Sequence, residues 1–351
     1  MATIKDVSIS AGVSSATVSH VINNTRYVSD EVRERILNSI RELDYHPNII
    51  ARTLRMGKSN TIGVIVPNTR NPYFTELAWN IEQYAAKKNY SVMICNTENL
   101  AEKENFYIDL LIQKQVDGIV FISCSDYAES TEMLAGSDIP FVIVDKDIED
   151  AMKYDTVLVE EEKGAQLAVE HLISLGHRRI ACITGGSNEQ ITSEKRRNGY
   201  RKAMRKHKLP IPEEYVVEGD FLMTSGYVAG KKLFATAPRP TAVFAFNDLM
   251  AIGVLSAAHE CGLNVPRDVS VIGYDDIELS SYCSPPLTTV NQNRSKAARN
   301  IFDTLFKMMT DTAAGNRRIK IIPKLVIRES TADCPDASQP VRKKTKEEEQ
   351  S

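Results

Sequence analysis

Five residues in one short stretch, Ser15, Ala16, Thr17, Ser19 and His20, are of the types that read the edges of nucleic-acid bases. Small side chains let a backbone approach closely, methyl groups meet thymine methyls, and an imidazole N–H can donate to a guanine acceptor. Such reading needs a rigid rod, and the spacing provides one. Val18, Val21 and Ile22 form an apolar stripe at helical period, and Ser14 stands where an N-cap belongs. Ahead of them, Ile4, Val7 and Ala11 mark a first short helix. Ala11-Gly12-Val13 is a tight break in which Gly12 is free to take a positive φ. Helix, glycine turn, helix predicts a helix-turn-helix whose second helix enters the major groove. A polar helical hairpin at the edge of another kind of domain is the plain alternative. A third helix is expected from Asp30 to Leu43, capped by Ser29, with Val32, Ile36, Leu37, Ile40 and Leu43 on one face. That face can close a small core with Val7, Val18 and Ile22.

A second chemical set lies further on: Asn71, Tyr73 and Phe74; Asp145 and Lys146; Arg196; Phe221; Asn247; Asp275; Gln292. Carboxylates and amides suit hydroxyl groups, an arginine suits ring oxygens, and aromatic faces suit C–H surfaces, which is the make-up of a sugar site. Each member also has a blander reading. Asn and Asp at strand ends commonly cap the next helix, Tyr73 fits a core contact, and Arg196 sits in a basic helical run that solvent could claim.

What favours a shared site is the position of these residues after apolar runs. Strands are predicted at 62–66, 91–95, 118–122 and 141–144, then at 180–183, 242–246 and 269–272. Helices are predicted between them at about 73–88, 104–115, 130–134, 164–175, 194–207, 225–234 and 250–261. Two successive series of this kind predict two doubly wound parallel sheets, whose ligands bind beyond the carboxyl ends of the strands.

Other chemistries fail on spacing. Gly57-Lys58-Ser59 has Arg52 where a phosphate-binding loop needs its first glycine. Gly185-Gly186-Ser187 reaches Glu189 where a nucleophile elbow needs glycine. The six histidines show no metal-ligand spacing, and His259-Glu260-Cys261 reads as one exposed helix edge. The expectation is a binder, not an enzyme, with no metal and no cofactor.

Charge is unevenly spread. The first 60 residues hold 8 Lys and Arg against 6 Asp and Glu, about +2, which leaves about −5 of the overall −3 for the rest. A mildly basic head on an acidic body suits a small nucleic-acid reader carried by a larger module. The six cysteines are scattered with no C-x-x-C pair, as expected of buried free thiols. No leader pattern and no apolar run of membrane-spanning length is present, so a cytoplasmic protein with no membrane partner is expected.

The run from Ala2-Thr3-Ile4-Lys5-Asp6-Val7 through Thr17-Val18-Ser19-His20-Val21-Ile22-Asn23 resembles the headpiece of the lactose/galactose (LacI/GalR) repressors. Its look is nearest to the ribose and purine repressors, and the resemblance extends to about Ile327. It implies a headpiece at 1–46, a hinge helix and linker at 47–60, and a two-lobed body at 61–330 similar to periplasmic sugar-binding proteins. A tail at 331–351 reads as disordered from its composition.

The DNA-contacting set implied by motif and resemblance is Thr3, Ser14, Ser15, Ala16, Thr17, Ser19, His20 and Asn24, with Leu54 wedging into the operator centre and Arg55 flanking it. A homodimer on a pseudo-palindromic operator is implied, since the tail lacks a leucine heptad for tetramers. Asp145, Asn247 and Asp275 match ligand-contacting positions of the family. The loop motifs look most like ribose repressors and ribose-binding proteins, although Lys146 stands where the latter have arginine. Arg196, Phe221 and Asp275 are shared with purine repressors. A pentose such as ribose is the expected effector, with a purine corepressor as its competitor. A transport-type sugar receptor and a sugar-acting enzyme are the rivals from other classes. The first lacks an export signal and the second a catalytic constellation.

Overall fold

The computed structural model describes residues 2–46, 58–123, 128–145, 154–186, 190–311 and 317–335. These fall into two compact units, divided between Ser59 and Asn60. The hinge positions Leu54 and Arg55, the site candidate Lys146, and the tail beyond Pro335 lie outside the described residues.

The small unit is built from α1 (Ile4–Ala11), α2 (Ser15–Asn23) and α3 (Asp30–Glu42). Thr3 and Asp6 form a reciprocal capping box at the start of α1, and Gly12 ends it at φ 65°. Val7, Ala11, Val18, Val21 and Ile36 make the core, with Ile22, Val32 and Ile40 packed at its margin. Two expectations for α3 need correction. Leu37 is 43% exposed, because one residue past Ile36 the helix has already turned about 100° away from a core only one stripe wide, and Leu43, 36% exposed, is the C-cap residue beyond the last helical turn. Ser29 occupies the N-cap position of α3 but its side chain makes no capping bond.

The large unit opens with β1 (Thr61–Val66), α4 (Pro72–Ala86), β2 (Ser91–Asn96), α5 (Ala101–Gln113), β3 (Gly118–Ile122), α6 (Ala128–Ala135), β4 (Phe141–Val144) and β5 (Thr156–Val159). It crosses to a second lobe through α7 (Glu161–Ser174), β6 (Ile180–Thr184), α8 (Gln190–Lys206), β7 (Val216–Glu218), α9 (Met223–Phe234), β8 (Ala242–Ala245), α10 (Asp248–Glu260) and β9 (Ser270–Ile272). The chain then returns by β10 (Thr289–Asn291), α11 (Arg294–Thr310), β11 (Arg318–Ile321) and β12 (Lys324–Val326).

The first sheet runs β11-β5-β4-β3-β1-β2 and the second β7-β6-β8-β9, both parallel throughout. β10 and β12 pair antiparallel in a separate ribbon. Every residue of β3, β4, β6 and β8 is buried, as parallel strands covered on both faces must be.

The two-lobed doubly wound architecture is the expected fold, with one difference. The lobes are not successive along the chain. α11 packs Ala297, Ala298, Ile301, Phe302 and Leu305 into the first lobe's core, and β11 adds an edge strand there. The first lobe is therefore assembled from separated segments of the chain. Cys95, Cys182 and Cys334 are buried free thiols as expected, but Cys261 is exposed at the end of α10. Among the described residues no helix is long and apolar enough to cross a membrane.

Candidate functional site

The α2 surface is prepared by its caps. Ser14 Oγ accepts the Thr17 backbone N–H at 3.1 Å, so the first turn is held without a bulky side chain. Asn24 takes a left-handed φ of 52° at the far end, and its Oδ1 accepts from Arg33 of α3 at 2.9 Å. Ser14, Ser15, Ala16, Asn24 and Thr3 are exposed, while Thr17, Ser19 and His20 are half-buried. Ser19 Oγ lies 3.2 Å from Asn23 Nδ2 and Ser15 Oγ 3.2 Å from Ser8 Oγ, so both hydroxyls also serve locally. His20 Nδ1 is 2.9 Å from Thr25 Oγ1, which fixes the ring and leaves Nε2 to face another partner. A capped helix whose outer face is small and polar, with one oriented imidazole, can enter a major groove.

In the large unit a cleft between the lobes is lined by Asn71, Tyr73, Phe74, Asp145, Glu161, Thr192, Arg196, Phe221 and Asp275. Seven of these were expected from the sequence. Asn71 caps α4 by accepting the Tyr73 N–H at 3.0 Å, and Pro72 starts the helix. Tyr73 and Phe74 therefore enter the cleft on its first turn, edge to face at 5.2 Å. Asp145 follows β4 at φ 62° and accepts from the Val159 N–H at 3.2 Å. Phe221 arrives on the β7–α9 loop at φ 63°, and a side-chain carbon at Gly185 would collide with its ring. Asp275 follows β9 at φ 116°, a conformation that L-residues rarely adopt and that marks a position held by its surroundings.

Arg196 is the centre of the cleft's electrostatics. Its Nε donates to Glu161 Oε2 at 2.7 Å and its Nη2 to Asp275 Oδ1 at 3.4 Å. Its Nη1 donates to the Phe246 carbonyl, and the guanidinium lies 3.8 Å from the centre of the Tyr274 ring. Only 4% of Arg196 is exposed, so it is not part of a solvated run. Burial pushes the Asp145 carboxyl up to about 7, with the Glu161 charge adding to the effect. Burial also raises Asp275 to about 7, against the opposing pull of Arg196. Near neutral pH each of these two carboxyls is poised to be either donor or acceptor.

Asn247 and Gln292, expected as effector contacts, stand behind the lining. Asn247 is fully buried, caps α10 through the Met250 N–H at 2.9 Å, and donates to the Phe221 carbonyl at 2.8 Å. Gln292 donates to Asp275 Oδ1 at 2.6 Å. Both brace residues that do line the cleft. Glu161 and Thr192 were missed. Thr192 lies one helical turn before Arg196, an i, i+4 relation that could have found it; Glu161 sits in an acidic run whose text reads as solvent-facing. The cavity is only about 20 Å³, room for roughly one water-sized sphere. Entry of any larger ligand requires the lobes to part. No cluster of metal-ligating side chains occurs among the described residues.

Comparisons with known proteins agree with this geometry. Residues 3–48 match the model of bacterial regulatory proteins of the lacI family, and residues 169–331 match a periplasmic binding protein-like domain. The chain is 42% identical over 330 residues to the HTH-type transcriptional repressor PurR of Vibrio parahaemolyticus, covering 93% of this chain and 98% of that protein. It superposes on a lac repressor dimer bound to operator and the anti-inducer ONPF with a TM-score of 0.84 at 29% identity, covering 94% and 99% of the two chains. A lacI-family regulator from Enterococcus faecium with bound ribose matches at a TM-score of 0.70 and 28% identity, over 78% of this chain and 99% of that one. An N-terminal reader helix on a two-lobed binding body, matched along nearly its whole length, makes this chain a member of the lacI family of DNA-binding bacterial transcriptional regulators, not an enzyme.

Proposed function

We propose that this regulator is a homodimeric repressor whose affinity for a pseudo-palindromic operator is set by a purine-type base held in the interlobe cleft. The observation that carries the reading is the cleft's lining. Phe74 from one lobe and Phe221 from the other supply flat apolar walls, and Asp145, Asp275 and Arg196 supply polar edges. A carboxyl poised near 7 can donate and accept at once, which complements the N–H and C=O edge of an oxopurine. The 42% identity to a repressor named PurR, against 28% to the ribose-bound neighbour, points the same way. The pentose expected from the loop motifs gives way to the purine on these grounds.

The α2 face would read each half-site, with His20 Nε2 as the oriented donor. Ile94, Leu100 and Phe106 on the first lobe, and Met223, Val228, Leu279 and Tyr282 on the second, are large exposed apolar side chains that a second copy would cover. A protein acting on operator DNA would work in the cytoplasm. The wedge role of Leu54 with Arg55 rests on the family resemblance alone.

The test is a calorimetric titration with hypoxanthine and with ribose, each repeated on operator-bound protein. Heat with hypoxanthine that tightens DNA binding is the expected result. Heat with ribose that weakens DNA binding would replace the purine reading with an induced sugar repressor.

A further inference from the structure

On the flank of the large unit, where β5 hands the chain to α7, a separate groove of about 480 Å³ opens. Arg318 and Lys320 on β11 form its wall in the first lobe, and Lys195 and Lys202 on α8 form its wall in the second. The two-residue spacing puts Arg318 and Lys320 on one side of an edge strand. The seven-residue spacing puts Lys195 and Lys202 on one face of α8. Arg205 extends that face into an adjoining hollow of about 300 Å³ that shares Lys202.

The acidic residues of the groove are already engaged. Glu160 pairs with Lys163 at 3.6 Å, Glu161 with Arg196 at 2.7 Å and Glu162 with Lys202 at 2.9 Å. Lys195 and Lys320 have no carboxylate at ion-pair distance among the described residues. Surplus positive charge therefore faces the same hollow from both lobes.

We propose that this groove is a second ligand site, distinct from the interlobe cleft, for a small phosphorylated anion carrying two or more negative charges. Its volume lies within the small-molecule range of roughly 300–1,000 Å³, which favours a metabolite over a macromolecule. Ammonium groups on flexible stems suit phosphate oxygens as point charges. Because the cations come from opposite lobes, the bound anion stabilises one lobe spacing over others. Glu161 lines both the groove and the cleft, so occupancy of one changes the surroundings of the other. By linkage, the anion and the cleft ligand then alter each other's affinity by the same factor.

The experiment uses the full chain in the presence of EDTA, titrated calorimetrically with inorganic pyrophosphate and, at matched ionic strength, with sulfate. Pyrophosphate is expected to bind at least about tenfold more tightly than sulfate. Lys195→Ala and Lys320→Ala, one from each lobe, are each expected to weaken it about threefold or more with unchanged thermal melting. Equal binding of the two anions, or pyrophosphate binding untouched by either substitution, would overturn the site. Loss of operator affinity in both variants with pyrophosphate binding intact would assign the lysines to DNA, and overturn it equally.

Discussion

Asp145→Asn offers a test of the cleft that needs no ligand. Asp145 is half-buried as a residue, yet its carboxyl is raised from an ordinary 3.8 to about 7, by desolvation first and by Glu161 second. Between those two values the unfolded chain releases a proton that the folded chain keeps. The native state is therefore penalised progressively as pH rises from about 4 to about 7, and fully above that. At about 1.36 kcal/mol per pH unit the whole penalty is about 4 kcal/mol, of which about 1.7 is already present at pH 5. Raising the pH from 5 to 8.5 should thus cost the wild type about 2.5 kcal/mol through this group alone. The asparagine retains an oxygen for the Val159 N–H and cannot ionise. A body of this size loses about 0.6 kcal/mol per degree at its midpoint, so the melting temperature of the variant should rise by about 4 °C relative to wild type at pH 8.5 compared with pH 5. Differential scanning calorimetry at the two pH values reads this directly. Parallel pH profiles for variant and wild type would refute the buried, protonated carboxyl, and with it the neutral polar edge on which the purine reading relies.

Three further outcomes follow from the same geometry. Ile36→Ala empties a fully buried position in a core of five residues and should cost about 2–5 kcal/mol, enough to unfold the small unit; operator binding should vanish while the melt of the large unit is unchanged. Arg196→Ala leaves Glu161 buried without its ion-pair partner and should destabilise by about 3–5 kcal/mol, and adding Glu161→Gln should recover part of that loss in a denaturant titration. His20→Ala should relax selectivity at one base pair per half-site by about 1–3 kcal/mol in a competition assay across operator variants, and unchanged selectivity would remove the imidazole from the reading face.

The sequence was most legible where period and capping agree. β3 and β4 lie at the expected residues because uninterrupted apolar runs flanked by turn signals admit few other readings. Ser14 and Gly12 told the truth about α2 because caps are local chemistry. β5, β7, β10, β11 and β12 escaped notice, all being three or four residues long; β7, β10, β11 and β12 also carry polar positions, while β5 is a buried run of only four residues. α11 carries a clear apolar stripe but was passed over, and with it the return of the chain to the first lobe. The cleft was legible to the extent that its residues follow strands. Glu161 was not, since only the β5-to-α7 crossover turns a surface-looking glutamate inward. Asn247 and Gln292 show the converse. Neither lines the cleft: the Asn247 amide holds the Phe221 carbonyl and the Met250 N–H, and Gln292 Nε2 holds Asp275, while Gln292 Oε1 is buried with no hydrogen-bond partner among the described residues.

The electrostatics of the cleft also restrict what can enter it. Three carboxyl groups, of Asp145, Glu161 and Asp275, line the cleft beside one lining guanidinium, and that guanidinium is already satisfied by Glu161, Asp275 and the Phe246 carbonyl. A ligand that draws Arg196 away must replace those contacts and leave no carboxylate stranded, because an unpaired buried charge costs several kcal/mol. A neutral base can do so, accepting from the arginine while donating to carboxyls that change protonation at little cost near pH 7. A phosphorylated ligand brings further negative charge to a site already rich in carboxyls, and its desolvation would not be repaid. The basic groove beyond Glu161 presents the opposite balance. On the two proposals made above, the same stretch of chain would separate a site for a neutral heterocycle from one for an anion, and a phosphorylated relative of the cleft ligand would be sorted to the groove by charge before shape is tested.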